Sequence, residues 1–146
     1  MTGLVRFHNW KFLIIVSTII NFSLWGCSDK KINSCNAIQQ INSELNEVIN
    51  NSFNSENIAD IAPVADRFSQ AQEKLSSNLI TDETLSSYSQ QLGDIYRQYS
   101  ETTKQYLSAY KDKDREAIIK SRETLTQLFE QQTQTIEKIN SYCLDN

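Results

Sequence analysis

Apolar side chains recur along this chain at helical spacing, and Asn, Gln, Ser and Thr fill most of the positions between them. Ile38, Ile41, Leu45 and Val48 step by three, four and three, with Ser52 and Phe53 next in line. That spacing predicts a first helix with a heptad-like seam, starting near Ser34. The stretch Asn50–Ser55 weakens it, because Asn and Ser side chains compete for backbone hydrogen bonds. A second helix is expected from Asp60 to about Ser77, with Asp60 as N-cap, Pro63 in the first turn, and Ile58, Ile61, Ala65, Phe68 and Leu75 on one face. A third runs from about Asp82 to Lys111, its stripe carrying Leu85, Tyr88, Leu92, Ile95, Tyr96, Tyr99, Thr103, Tyr106 and Tyr110. Lys111–Asp114 is the next turn, with Asp112 or Asp114 capping a fourth helix. That helix presents Ile118, Leu125, Leu128, Phe129, Gln132, Ile136, Ile139 and Cys143. No strand-like alternation competes with this all-α, up-down four-helix reading.

One segment departs from the pattern. Phe12 to Trp25 is a mostly apolar run preceded by Arg6 and Lys11, long enough for a secretory core and short of the roughly 18 residues that span a bilayer. It closes on Leu24-Trp25-Gly26-Cys27. This order resembles a bacterial lipoprotein signal with its lipobox. The resemblance implies removal of residues 1–26, lipidation of the Cys27 thiol, a polar tether over residues 27–34, and a bundle domain over 35–146. An uncleaved N-terminal anchor is the alternative. Either way the expected location is the cell envelope, on the non-cytoplasmic side: the periplasm, or the thylakoid lumen of a cyanobacterium.

Composition narrows the chemistry further. Without residues 1–26 the chain contains no His, Met or Trp, and keeps only Gly93 and Pro63 of its glycines and prolines. Losing Arg6 and Lys11 takes the 14 basic residues to 12, against 18 acidic ones. Nucleic acid is therefore not an expected partner, nor is recruitment by a polybasic patch. The usual heme ligands, zinc catalysis and the Ser-His-Asp or Cys-His arrangements all require residues that are missing. No catalytic residue, cofactor or metal site is expected. Glu44 with Glu47, and Glu116 with Glu123, read as solvated faces. The tyrosine stripe reads as core, with a ligand slot between helices as the alternative.

With Cys27 assigned to lipid, Cys35 and Cys143 remain, at the start of the first helix and the end of the last. An oxidising compartment favours a disulfide between them, and an even number of up-down helices brings those two ends together. The same end then faces the membrane, with the connection between the second and third helices. Helices three and four look about 30 residues long and the first two nearer 20; if those lengths hold, the distal hairpin projects by roughly 15 Å, the alternative being that the first helix runs on through Asn57 or that residues 50–60 fold over the gap. Tyr106, Tyr110 and Ile118 on that projection are the candidate partner-binding residues. Cys35, Leu85, Tyr96, Tyr99 and Tyr142-Cys143, with the Ala109-Tyr110-Lys111-Asp112 turn, resemble the small helical lipoproteins common in cyanobacteria. That resemblance implies a helical bundle and no particular activity. The expected function is a non-catalytic accessory or adaptor lipoprotein binding an envelope protein. The alternative is a ligand-binding bundle with a tyrosine-lined pocket, and homodimerisation through the same heptads stays open.

Overall fold

The computed structural model describes residues 25–53, 58–77 and 79–145. They form four helices: α1 (Trp25–Phe53), α2 (Ala62–Leu75), α3 (Glu83–Asp112) and α4 (Arg115–Leu144), with a 3-10 turn, Ile58–Ile61, leading into α2. Among the described residues there is no strand. Adjacent helices pack in the order of the chain, α2 and α4 lying on opposite sides of α3, and α1 packing chiefly on α2. The interior is one continuous cluster. Ile38, Ile41 and Leu45 come from α1, Val64, Phe68 and Leu75 from α2, Leu85, Leu92, Tyr96 and Tyr99 from α3, and Leu128 and Ile139 from α4. Of the predicted seam of α1, Ile38, Ile41 and Leu45 are buried while Val48 is half-buried, and a covalent bond closes the bundle. Cys35 and Cys143 form a disulfide, their Cα atoms 6.0 Å apart.

Three sequence expectations need correction. Residues 27–34, read from composition as a polar tether, are helical, and α1 begins at Trp25, not near Ser34. The reason is tertiary. Ser34 is fully buried, and its hydroxyl accepts hydrogen bonds from the backbone N–H groups of Thr81 (3.0 Å) and Asp82 (3.2 Å). One turn earlier, the Lys31 ammonium lies 4.7 Å from the centre of the Tyr142 ring and donates to the Asp145 carbonyl. These contacts hold the segment in register with the bundle.

The second correction concerns α2. Its N-cap is Ile61, in a helical conformation and without a side-chain cap, because the 3-10 turn feeds straight into the helix; Asp60 does not occupy the cap position. Pro63 does lie in the first turn, where its missing N–H costs nothing. The third concerns Phe129, which is 64% exposed instead of sharing the buried stripe of α4. The line that meets α3 runs through Ser121, Leu128, Thr135 and Ile139. Two small polar residues occupy that seam, and the larger apolar one stands outside it.

Both α3 and α4 are capped by acidic residues, Asp82 and, of the two candidates Asp112 and Asp114, the latter. The Asp82 carboxylate accepts from the Leu85 N–H at 2.9 Å, and Asp114 accepts from Ala117 N–H at 3.0 Å. Asp82 also accepts from the Tyr142 hydroxyl at 3.2 Å, tying the start of α3 to the end of α4. The α2–α3 connection therefore sits at the disulfide end.

Candidate partner-binding tip

The opposite end is the α3–α4 turn. At 1.5 Å per residue α1 rises about 27 Å from Cys35 to Phe53, while α4 rises about 42 Å from Cys143 to Arg115. The hairpin therefore reaches roughly 15 Å beyond the end of α1. On its other flank it is accompanied further. Ser69 of α2 meets Ser100 of α3, their hydroxyl oxygens 2.8 Å apart, and the Lys104 ammonium lies 3.5 Å from the Asp66 carboxylate. The hairpin is thus flanked by α2, and the 3-10 turn Ile58–Ile61 packs against both α1 and α3 on the side towards α1.

Two residues, Lys113 and Asp114, make the turn. Lys113 adopts the left-handed conformation (φ 57°, ψ 28°) usual for glycine at this position. Its N–H donates to the Tyr110 carbonyl (3.2 Å), and the Asp114 N–H donates to the Ala109 carbonyl (2.9 Å). This is the paired closure of a Schellman motif, with Asp114 opening α4 immediately. A short, doubly capped turn fixes the last turns of α3 against the first turns of α4, so the side chains there are presented on a defined frame.

Of the sequence-predicted site residues, Tyr106 and Tyr110 come together, their ring centres 6.5 Å apart. Tyr106 is half-buried and Tyr110 is 51% exposed, while Ala109 between them is buried against the hairpin. Ile118 is half-buried. Its neighbour Ile119 is more exposed, and with Arg115, Glu116, Lys120 and Glu123 it lines a depression on the surface of α4. Sequence reasoning missed Ile119. Two adjacent isoleucines point about 100° apart on a helix, so one of them had to leave the seam. The Cys27 side chain and residues 1–24 lie outside the described residues.

The tyrosine stripe divides by depth. Tyr96 is fully buried; its hydroxyl donates to Asn42 Oδ1 at 2.7 Å and accepts from Gln132 Nε2 at 3.5 Å. Tyr99 stacks on Phe68 at 4.6 Å with the rings 9° from parallel. Burial in this apolar setting raises both phenols, Tyr99 to about 12 and Tyr96 beyond that. Both are packing residues, and the polar end of Tyr96 is satisfied. A separate cleft of about 300 Å³ lies between α1 and α2, lined by Ile41, Leu45, Ala71, Glu44 and Lys74 among others, and no tyrosine contributes to it. Glu44 is already engaged there. The Lys74 ammonium sits 2.5 Å away and Gln40 donates at 3.0 Å, and these hydrogen bonds hold its carboxyl below the usual value. Among the described residues no helix is long and apolar enough to cross a membrane, and no three His, Cys, Asp or Glu side chains cluster as a metal site would require.

A scan against protein-family models and searches of curated proteins and of solved structures return no match for this chain.

Proposed function

We propose that this protein is a non-catalytic accessory lipoprotein of the cell envelope, anchored through Cys27, that engages a partner protein with its α3–α4 tip. The observation that carries the reading is that Tyr110 on α3 and Ile119 on α4 are both exposed on the helical turns flanking the capped α3–α4 turn, at the end away from Cys27. Aromatic and aliphatic side chains on such a frame suit a partner pocket, because little side-chain freedom is lost on docking. The charges around them alternate from Lys111 to Glu116, so the surface supports selective recognition without a strong field of either sign.

The test is recovery of the partner from membranes. Tyr106→Ser/Tyr110→Ser should lower recovery at least about tenfold while the disulfide and helical content are retained, as expected when an aromatic anchor is removed. Unchanged recovery would contradict the tip assignment. If the reading were wrong in favour of a ligand-binding bundle, a small molecule would raise the melting temperature saturably.

A further inference from the structure

Exposed large apolar side chains are not scattered evenly over this molecule. Besides those at the tip and Phe129 on the side, three stand at the disulfide end: Ile32 (51% exposed), Leu79 (57%) and Leu144 (79%). They come from three different elements, the first turns of α1, the α2–α3 connection and the last residue of α4. The contacts already described bring those elements together. Ser34 holds Thr81 and Asp82, Cys35 is bonded to Cys143, and Lys31 reaches Asp145. One end of the bundle therefore presents three aliphatic side chains to its surroundings.

We propose that this end is a membrane-contact surface, with Ile32, Leu79 and Leu144 seated at the boundary between lipid headgroups and acyl chains. The occupant follows from where the chain leads. The apolar run Phe12–Trp25 and the candidate lipidation site Cys27 immediately precede Ile32. Because α1 is continuous from Trp25, no flexible tether separates Cys27 from the bundle, and Ile32 lies only about 7–8 Å along the helix from it. That distance matches the depth of roughly 5–10 Å to which interfacial apolar residues sink. A bundle held so close to the bilayer has this end facing lipid. Any contact is driven by apolar burial and not by anionic lipid. Lys31 is occupied by Tyr142 and Asp145, and Asp29 and Asp145 offset Lys30. The proposal rests on the anchored reading for its orientation, although an uncleaved leader would place the same end on the membrane.

Fluorescence quenching tests it. The full chain carrying Leu79→Trp, Leu144→Trp or Tyr110→Trp is purified from bacterial membranes and reconstituted into vesicles of brominated phosphatidylcholine, with and without phosphatidylglycerol. Its intact mass and flotation with vesicles are recorded alongside. Relative to the parent chain, the tryptophans at 79 and 144 should be quenched at least about twofold more than the one at 110, to the same extent in both lipid mixtures. Equal quenching at all three positions in a chain that floats and carries lipid on Cys27 overturns the contact and leaves the anchor standing. End-specific quenching without lipid on Cys27 supports the contact and overturns the lipidation. Absence of both flotation and quenching overturns the two together.

Discussion

Towards the disulfide, Leu75, Leu85, Leu92 and Ile139 fill the bundle with large aliphatic side chains, whereas towards the α3–α4 turn the buried positions of α3 and α4 themselves are Ser100, Thr102, Thr103, Ala109 and Ser121, with Val64 and Phe68 of α2 packed beside them. The first region has an apolar core and a covalent staple. The second is held by small side chains in close contact and by a capped turn. Among the described residues no buried side-chain polar atom lacks a partner, so the polar half is satisfied, but it buries less apolar surface. The difference separates two tasks within one fold. The covalent staple and the large aliphatic side chains are concentrated at the disulfide end. The tip is free to carry exposed residues such as Tyr110 and Ile119 without weakening the core on which the bundle depends.

The disulfide is the strongest lever on this contrast. Its two cysteines are 108 residues apart, so opening it frees a long loop in the unfolded chain. Replacing both by Ser should lower the unfolding free energy by about 3–5 kcal/mol in denaturant titration. A loss below about 1 kcal/mol would mean that the staple adds little to this end. Next come paired core truncations. Leu92→Ala should cost about 3 kcal/mol and Thr103→Ala about 1 kcal/mol, and equal losses would erase the distinction between the two halves.

Alkaline titration probes the boundary between the halves, where Tyr96 and Tyr99 lie. Their folded values are raised above the ordinary 10, so the folded state keeps protons that the unfolded state has released. Their stabilising contribution is therefore complete below about pH 10 and is lost as pH rises through 12. Tyr96→Phe/Tyr99→Phe should flatten that decline, and an unchanged slope would show that other groups govern it. The smallest effects come from backbone fit. Lys113→Gly relieves a left-handed residue at the tip, and Gly93→Ala in α3 adds a Cβ that meets Gln72 and Leu75 only at an ordinary 3.8 Å. Each should raise stability by about 0.5–1 kcal/mol, measured by thermal unfolding.

Local rules carried much of this structure. Ile38, Ile41 and Leu45 on the seam of α1, the Asp114 cap, Pro63 in the first turn of α2 and the Cys35–Cys143 pairing all follow from spacing and side-chain chemistry within a few residues, or from helix parity. What local rules could not supply is tertiary. Residues 27–34 look like a solvated linker by composition, and it is Ser34 reaching Thr81 and Asp82, with Lys31 at Tyr142 and Asp145, that makes them part of the bundle. Phe129 looks like core by its apolarity, yet the buried line of α4 passes through Ser121 and Thr135. At the tip, Tyr106 and Tyr110 were legible from the stripe of α3. The greater exposure of Ile119 over Ile118 depends on how α4 is rotated against α3.

The central claim is that the tip, not the side of the bundle, meets a partner. A photo-crosslinking amino acid placed at Tyr110 and, separately, at Glu137 on the exposed side of α4 tests this directly in intact cells of the native organism. The account predicts one recurrent protein adduct from position 110, identified by mass spectrometry of membranes, and none of that mass from position 137. No adduct from 110, or the same set of adducts from both positions, would contradict it.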